Sequence, residues 1–142
     1  MSETVQIKTP WLASKDPEVP STLNYSTLSM CGRVEEMVRQ YPNYIAYEFM
    51  GKTTTYAEMW QKINACAKSL KAIGIREGDK VTICMPNAPQ TLCMFYAVNM
   101  VGAIANMVHP LSAESEISFY LRDSNSVAAI TLDQFYPKFE SV

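Results

Sequence analysis

The chain has 142 residues, of which 48% are hydrophobic and 18% charged, so it is too apolar for disorder and long enough to bury a core. Its formal net charge is -2, and the acidic and basic residues are interspersed without forming a basic stripe, which argues against a nucleic-acid backbone as partner.

Residues 1–28 carry Pro10, Pro17 and Pro20 and no apolar periodicity, which predicts an extended arm with Trp11 and Leu12 as anchors. Residues 1–20 also lack the charged-then-apolar pattern of a signal peptide. Ser29 is placed to begin a helix with Met30, Val34, Met37, Val38 and Tyr41 on one face, ended by Pro42 and Asn43. Residues 44–49 alternate and are rich in aromatic and β-branched side chains; with Met50-Gly51 and residues 53–55 they read as a β-hairpin. Thr55 and Glu58 have the spacing of a capping box. The helix they open shows the clearest periodicity in the chain: Tyr56, Met59, Trp60, Ile63, Ala67, Leu70 and Ile73 share a stripe, and Gly74 ends it. That stripe is expected to pack on Val81, Ile83, Ile104 and Val108.

From here strands and helices alternate. Residues 80–85 form a strand, 87–101 a buried helix, 103–108 a strand, 113–122 a helix capped by Ser112, and 127–130 a strand. Asp133 is placed to cap a further helix. This order means parallel strands with right-handed crossovers, and the continuous apolar character of the strands fits a sheet covered on both faces. The expected fold is α/β: a layered subdomain with three βα-connected parallel strands, preceded by a helix and a β-hairpin, all within a single domain over residues 29–142. The apolar run over residues 91–108 contains Asn99, Asn106 and Gly102, and it reads as a buried helix, a stop and a strand rather than a membrane span.

Ligands of open parallel sheets gather at the carboxyl ends of the strands. This nominates three loops, each with one polar residue able to touch a ligand: Asn87, His109 and Asp133. Asn87 and Asp133 also read as helix caps, and His109 as a structural hydrogen-bonder. Gly74-Ile75-Arg76-Glu77-Gly78 resembles a phosphate loop but runs from helix into strand, at the opposite end of the sheet. No G-x-G-x-x-G, Walker-type loop or G-x-S-x-G occurs, so no catalytic or cofactor-binding residue is assigned. Cys31, Cys66, Cys84 and Cys93 form no CxxC pair, and His109 is the sole histidine. No metal site follows; reduced core cysteines in a cytoplasmic protein do.

Thr55-Tyr56-Ala57-Glu58, Gly74-Ile75-Arg76-Glu77-Gly78-Asp79-Lys80-Val81, Met85-Pro86-Asn87-Ala88-Pro89, Gly102-Ala103-Ile104-Ala105-Asn106, Pro110-Leu111, Glu116 and Asp123-Ser124 occur in that order. Together they resemble the N-terminal part of the AMP-forming acyl-CoA synthetases, within the adenylate-forming ligases, from about residue 29 onward. The resemblance implies a longer enzyme that uses ATP, Mg and CoA to convert a carboxylic or fatty acid through an acyl-adenylate into a thioester. The family's phosphate loop, adenine-contacting motifs, hinge and catalytic lysine map onto no residue here. The chain therefore reads as an inactive N-terminal fragment whose partner is the remainder of the ligase. The alternatives are a stand-alone α/β binding module and a complete small enzyme using the three loops. The two edges of the parallel sheet, with Phe119-Tyr120-Leu121, Phe135, Tyr136 and Phe139, predict self-association.

Overall fold

The computed structural model describes residues 9–142. Of the expected arm, residues 1–8 lie outside the described residues. Pro10–Ser14 form a 3-10 turn opened by the proline, and Trp11 and Leu12, expected as anchors, are instead 62% and 40% exposed. Helix α1 (Met30–Gln40) is capped by Ser29, whose Oγ accepts from the Gly32 N–H at 3.1 Å. A second free N–H of its first turn, that of Cys31, donates to Asn99 Oδ1 at 3.1 Å. This tertiary cap draws Cys31 inward, so Cys31 is buried and Met30, assigned to the stripe by spacing, is exposed.

Strands β1 (Ile45–Phe49) and β2 (Lys52–Thr55) form an antiparallel hairpin. Its two turn residues both take left-handed backbone, Met50 at φ 50° and Gly51 at φ 78°, which matches the twist of the flanking strands. A register shift between Ile45 and Tyr47 breaks the alternation, so Ala46 and Tyr47 are both half-buried while Ile45 is exposed. Thr55 passes directly from β2 into helix α2 (Tyr56–Ala72) through the expected box. Thr55 Oγ1 accepts from the Glu58 N–H at 3.3 Å, and Glu58 Oε2 accepts from the Thr55 N–H at 2.8 Å. Met59, Ile63, Ala67 and Leu70 are buried as the stripe requires. Ile73 is not: it caps the helix, is 72% exposed, and Gly74 (φ 98°) turns the chain so that Ile75 enters the core instead.

Strand β3 (Lys80–Cys84) is central in a parallel sheet ordered β4-β3-β5, with β4 (Ile104–Met107) and β5 (Ala128–Thr131) on its flanks. Helices α3 (Pro89–Met100) and α4 (Glu114–Ser124) make the crossovers, and a 3-10 turn over Asp133–Phe135 leads into α5 (Tyr136–Glu140). Alternation along β3 makes two cores. Val81, Ile83 and Met85 join Ala105, Ala128 and Ile130 against α2 and α3 in the main one. Cys84 and Val108 pack with Ile117, Leu121 and Phe139 from α4 and α5 in the smaller one.

Ile104 and Val108 were expected in the main core, and alternation along β4 carries both to the other face. Asn106 bonds to Thr82 on that far face, and Ile104 and Val108, each two residues from Asn106, share its parity. Val108 therefore belongs to the smaller core, and Ile104 is 53% exposed. The main-core face is thus covered except at Met107, which is 50% exposed, and the other face is covered only in part, with Ala129 also exposed.

A directed hydroxyl chain spans that second face. Ser124 Oγ donates to Tyr120 O at 2.6 Å, which leaves Ser126 to donate to Ser124 and the fully buried Thr82 to donate to Ser126, each at 2.7 Å. Asn106 Nδ2 donates to Thr82 and Ser124 at 3.0 and 3.2 Å, so β3, β4 and the end of α4 are tied by one network.

Three expected caps are displaced. Ala88 takes the cap position of α3, because Pro89, with fixed φ and no N–H, suits the first helical position; Asn87 stays in the loop. Ala113 caps α4; Glu116 Oε2 accepts its N–H at 2.8 Å, but the methyl side chain offers no acceptor in return. Ser112 instead presents its carbonyl to Lys138 Nζ at 2.8 Å. Asp133 opens the 3-10 turn and accepts the Gln134 N–H at 2.9 Å.

Ile63 has no exposed surface in the main core. Ile63→Ala should cost about 2–5 kcal/mol in urea unfolding, whereas Ile73→Ala should stay within about 0.5 kcal/mol. Hydrogen bonds from the Thr55 backbone and hydroxyl hold the Glu58 carboxyl below its ordinary value. Its stabilisation is complete above the ordinary carboxylate range and is lost as pH falls through the lowered folded value. The urea midpoints of wild type and Glu58→Gln should therefore differ most at neutral pH and converge in acid.

Candidate functional site

The carboxyl ends of β3, β4 and β5 open onto one cleft of about 540 Å3. Met85, Pro86 and Asn87 line it from the β3 loop, Met107 to Leu111 from the β4 loop, and Gln134 and Phe135 from the turn after β5. A second groove of about 380 Å3 lies between the hairpin residues Tyr47 and Phe49 and the start of α3, at Pro89, Leu92 and Phe95. Asn87 and Met107 line both, so the two depressions run together along the end of the sheet.

Hydrogen bonds fasten each loop to the strand before it or beside it. Thr91 Oγ1 donates to Pro86 O at 2.6 Å and closes the β3–α3 loop. Thr131 Oγ1 donates to Cys84 O at 3.0 Å and binds the end of β5 to β3. The Cys84 thiol reaches His109 O at 3.6 Å. His109 Nδ1 accepts the Leu111 N–H at 3.2 Å, so a neutral ring carries its proton on Nε2.

Two of the three nominated residues therefore meet: Asn87 and His109 are exposed on one cleft. Asp133 is absent from its lining; its neighbours Gln134 and Phe135 take that place, because the 3-10 turn carries the chain past the sheet end. Sequence reasoning passed over Thr91 and took Thr131 only as part of the loop that ends at Asp133. A hydroxyl just inside a helix, after a proline-bounded loop, is the signal that points to the first.

The cleft offers hydrogen-bonding groups on Asn87, His109 and Gln134 among apolar walls, and no nucleophile with a base. All four cysteines are free, and burial pushes each thiol above its ordinary value, the charge of Glu35 adding to this at Cys31 and Cys66 at Cys93. Their thiolate fractions at neutral pH are correspondingly small. Among the described residues no three His, Cys, Asp or Glu side chains converge to hold a metal ion. The glycines that resemble a phosphate cradle sit at the other end of the sheet. Gly78 N–H donates to Gly102 O at 2.9 Å, and a Cβ on Gly102 would stand 2.9 Å from Glu77 Cγ, so this is a tight packing turn. No triphosphate cradle is built from these residues. No helix among the described residues is long and apolar enough to cross a membrane.

The family model described as AMP-binding enzyme matches residues 34–141. A long-chain-fatty-acid–CoA ligase of Bacillus subtilis is 31% identical over 134 residues, covering 94% of this chain and 24% of that protein. The long-chain-fatty-acid–CoA ligase FadD13 of Mycobacterium tuberculosis is 42% identical over 76 residues, 54% of this chain and 15% of its own length. The crystal structure of the inhibitor-bound N-terminal domain of FACL13 from Mycobacterium tuberculosis superposes with a TM-score of 0.72 at 33% identity, over 76% of this chain and 28% of that one. The chain thus spans about a quarter or less of the length of these curated relatives.

Thr91 is 7% exposed, and its hydroxyl satisfies a carbonyl of the loop that presents Asn87. Thr91→Val should destabilise the fold by about 1–3 kcal/mol and raise amide exchange in the β3–α3 loop.

Proposed function

Because the chain belongs to the AMP-binding enzyme family, we propose that it is the N-terminal segment of an ATP-dependent, AMP-forming acyl-CoA synthetase that activates a fatty acid. The observation that carries this reading is the match of 94% of the chain to one stretch of a long-chain-fatty-acid–CoA ligase. The full enzyme uses ATP, Mg and CoA, with a carboxylate as the other substrate. Residues 29–142 are a single α/β domain, the first part of the ligase's larger N-terminal domain, and residues 1–28 an extended arm before it. Four free cysteines suit a cytoplasmic, reducing setting.

The segment's share of the work is architectural. Its Asn87–His109 cleft lies at the strand ends where ligands of parallel sheets collect, and Asp133 stands just outside it. The phosphate loop and its lysine belong to the remainder of the polypeptide, which packs on this segment as its partner. Without that remainder the chain self-associates, since β4 and β5 each have one unpaired edge. It binds no nucleic acid.

Pure chain mixed with ATP, Mg and short to long fatty acids should release pyrophosphate only at background rate. Clear carboxylate-dependent turnover would overturn the proposal. Reading the gene past the Val142 codon should reveal an open frame with a Ser/Thr/Gly-rich loop and a lysine; a stop codon there favours the stand-alone module.

A further inference from the structure

We propose that two copies of this chain join through their β4 strands, paired antiparallel about a two-fold axis at Asn106. This rests on the reading that the chain self-associates and names the surface.

Strand β4 is hydrogen-bonded on one side only, to β3. The N–H groups of Ile104 and Val108 donate inward, to Asp79 O at 2.7 Å and Ile83 O at 3.0 Å. Successive residues of a strand point their N–H and C=O to opposite sides, so Ala105 and Met107 aim theirs outward, away from β3. An antiparallel partner is held by residues that exchange both bonds. Ala105 of one copy then faces Met107 of the other, Met107 faces Ala105, and Asn106 falls opposite itself.

This register keeps like faces together. Ala105 and Met107 lie on the main-core face, so a large side chain, 50% exposed in the monomer, covers a small one. On the other face Ile104, 53% exposed, comes opposite Val108. The strand Ile104–Met107 has no charge, no proline and no bulge, the features that protect edge strands. Two copies therefore meet without like-charge repulsion, and the register sets the exposed Met107 of each over the small Ala105 of the other, which fits a second copy of this edge as the occupant. The β5 edge is a poorer match, because within the strand only the small Ala129 is exposed, and the one large exposed apolar side chain beside it, Val127, lies before its first residue. Four residues are a short edge, and the dimer is accordingly weak and concentration-dependent.

Sedimentation of the full chain from micromolar to millimolar concentration should show a mass rising from 16.0 kDa toward twice that value. Amide exchange at Ala105 and Met107 should slow in parallel. Ala105→Pro removes an outward N–H that the β3 ladder does not use, and Met107→Lys puts a charge at the seam. Each should weaken association by about tenfold or more. Far-UV circular dichroism checks the fold, and Met107→Lys decides alone if Ala105→Pro does not fold. A wild-type monomer throughout overturns self-association and this pairing together. Association that survives the substitutions, with Ala105 and Met107 amides unprotected, overturns this pairing alone.

Discussion

Strand β3 has neighbours on both edges and packing on both faces, and its five residues coordinate most of the molecule. Val81 and Ile83, with no exposed surface, anchor the core under α2 and α3. Thr82 and Cys84, equally buried, face the other way, one into a hydroxyl network and one into the smaller core. A polar residue at the centre of a sheet is tolerated because every hydrogen-bonding atom of it is engaged: among the described residues no buried side-chain nitrogen or oxygen lacks a partner.

The same strand sets the cleft. Its end delivers Met85 and Pro86, its carbonyl at Cys84 holds Thr131 of β5, and the Cys84 thiol contacts the carbonyl of His109 after β4. The three loops are therefore held to one frame while their polar tips remain open. A frame of this kind can position a ligand or a neighbouring segment, but it brings no base to a nucleophile and no cluster of amides to a phosphate. That division fits a family in which this stretch is a quarter or less of the whole.

Local chemistry made much of this legible. The Thr55–Glu58 box, the Met59–Ile63–Ala67–Leu70 stripe and the left-handed Gly74 are each decided within a few residues of chain, and the structure bears them out. So are the three parallel strands, although with ends shifted by a residue or so. The errors share a cause. Met30, Ile73 and Asn87 were assigned by spacing or by cap preference, and each lost to something distant or geometric: the amide of Asn99, the turn at Gly74, the fixed φ of Pro89.

By itself, then, the sequence determined the element types, their order, the parallel sheet and the likeness to a ligase segment, since periodicity, caps and ordered motifs are written along the chain. Only the tertiary structure decided which face each strand residue takes, that Ile104 and Val108 leave the main core, and that Asn87 and His109 share a cleft from which Asp133 is turned away. Those outcomes depend on strand register and on contacts between residues far apart in sequence, such as Cys31 with Asn99 and Thr131 with Cys84, and no local pattern encodes them.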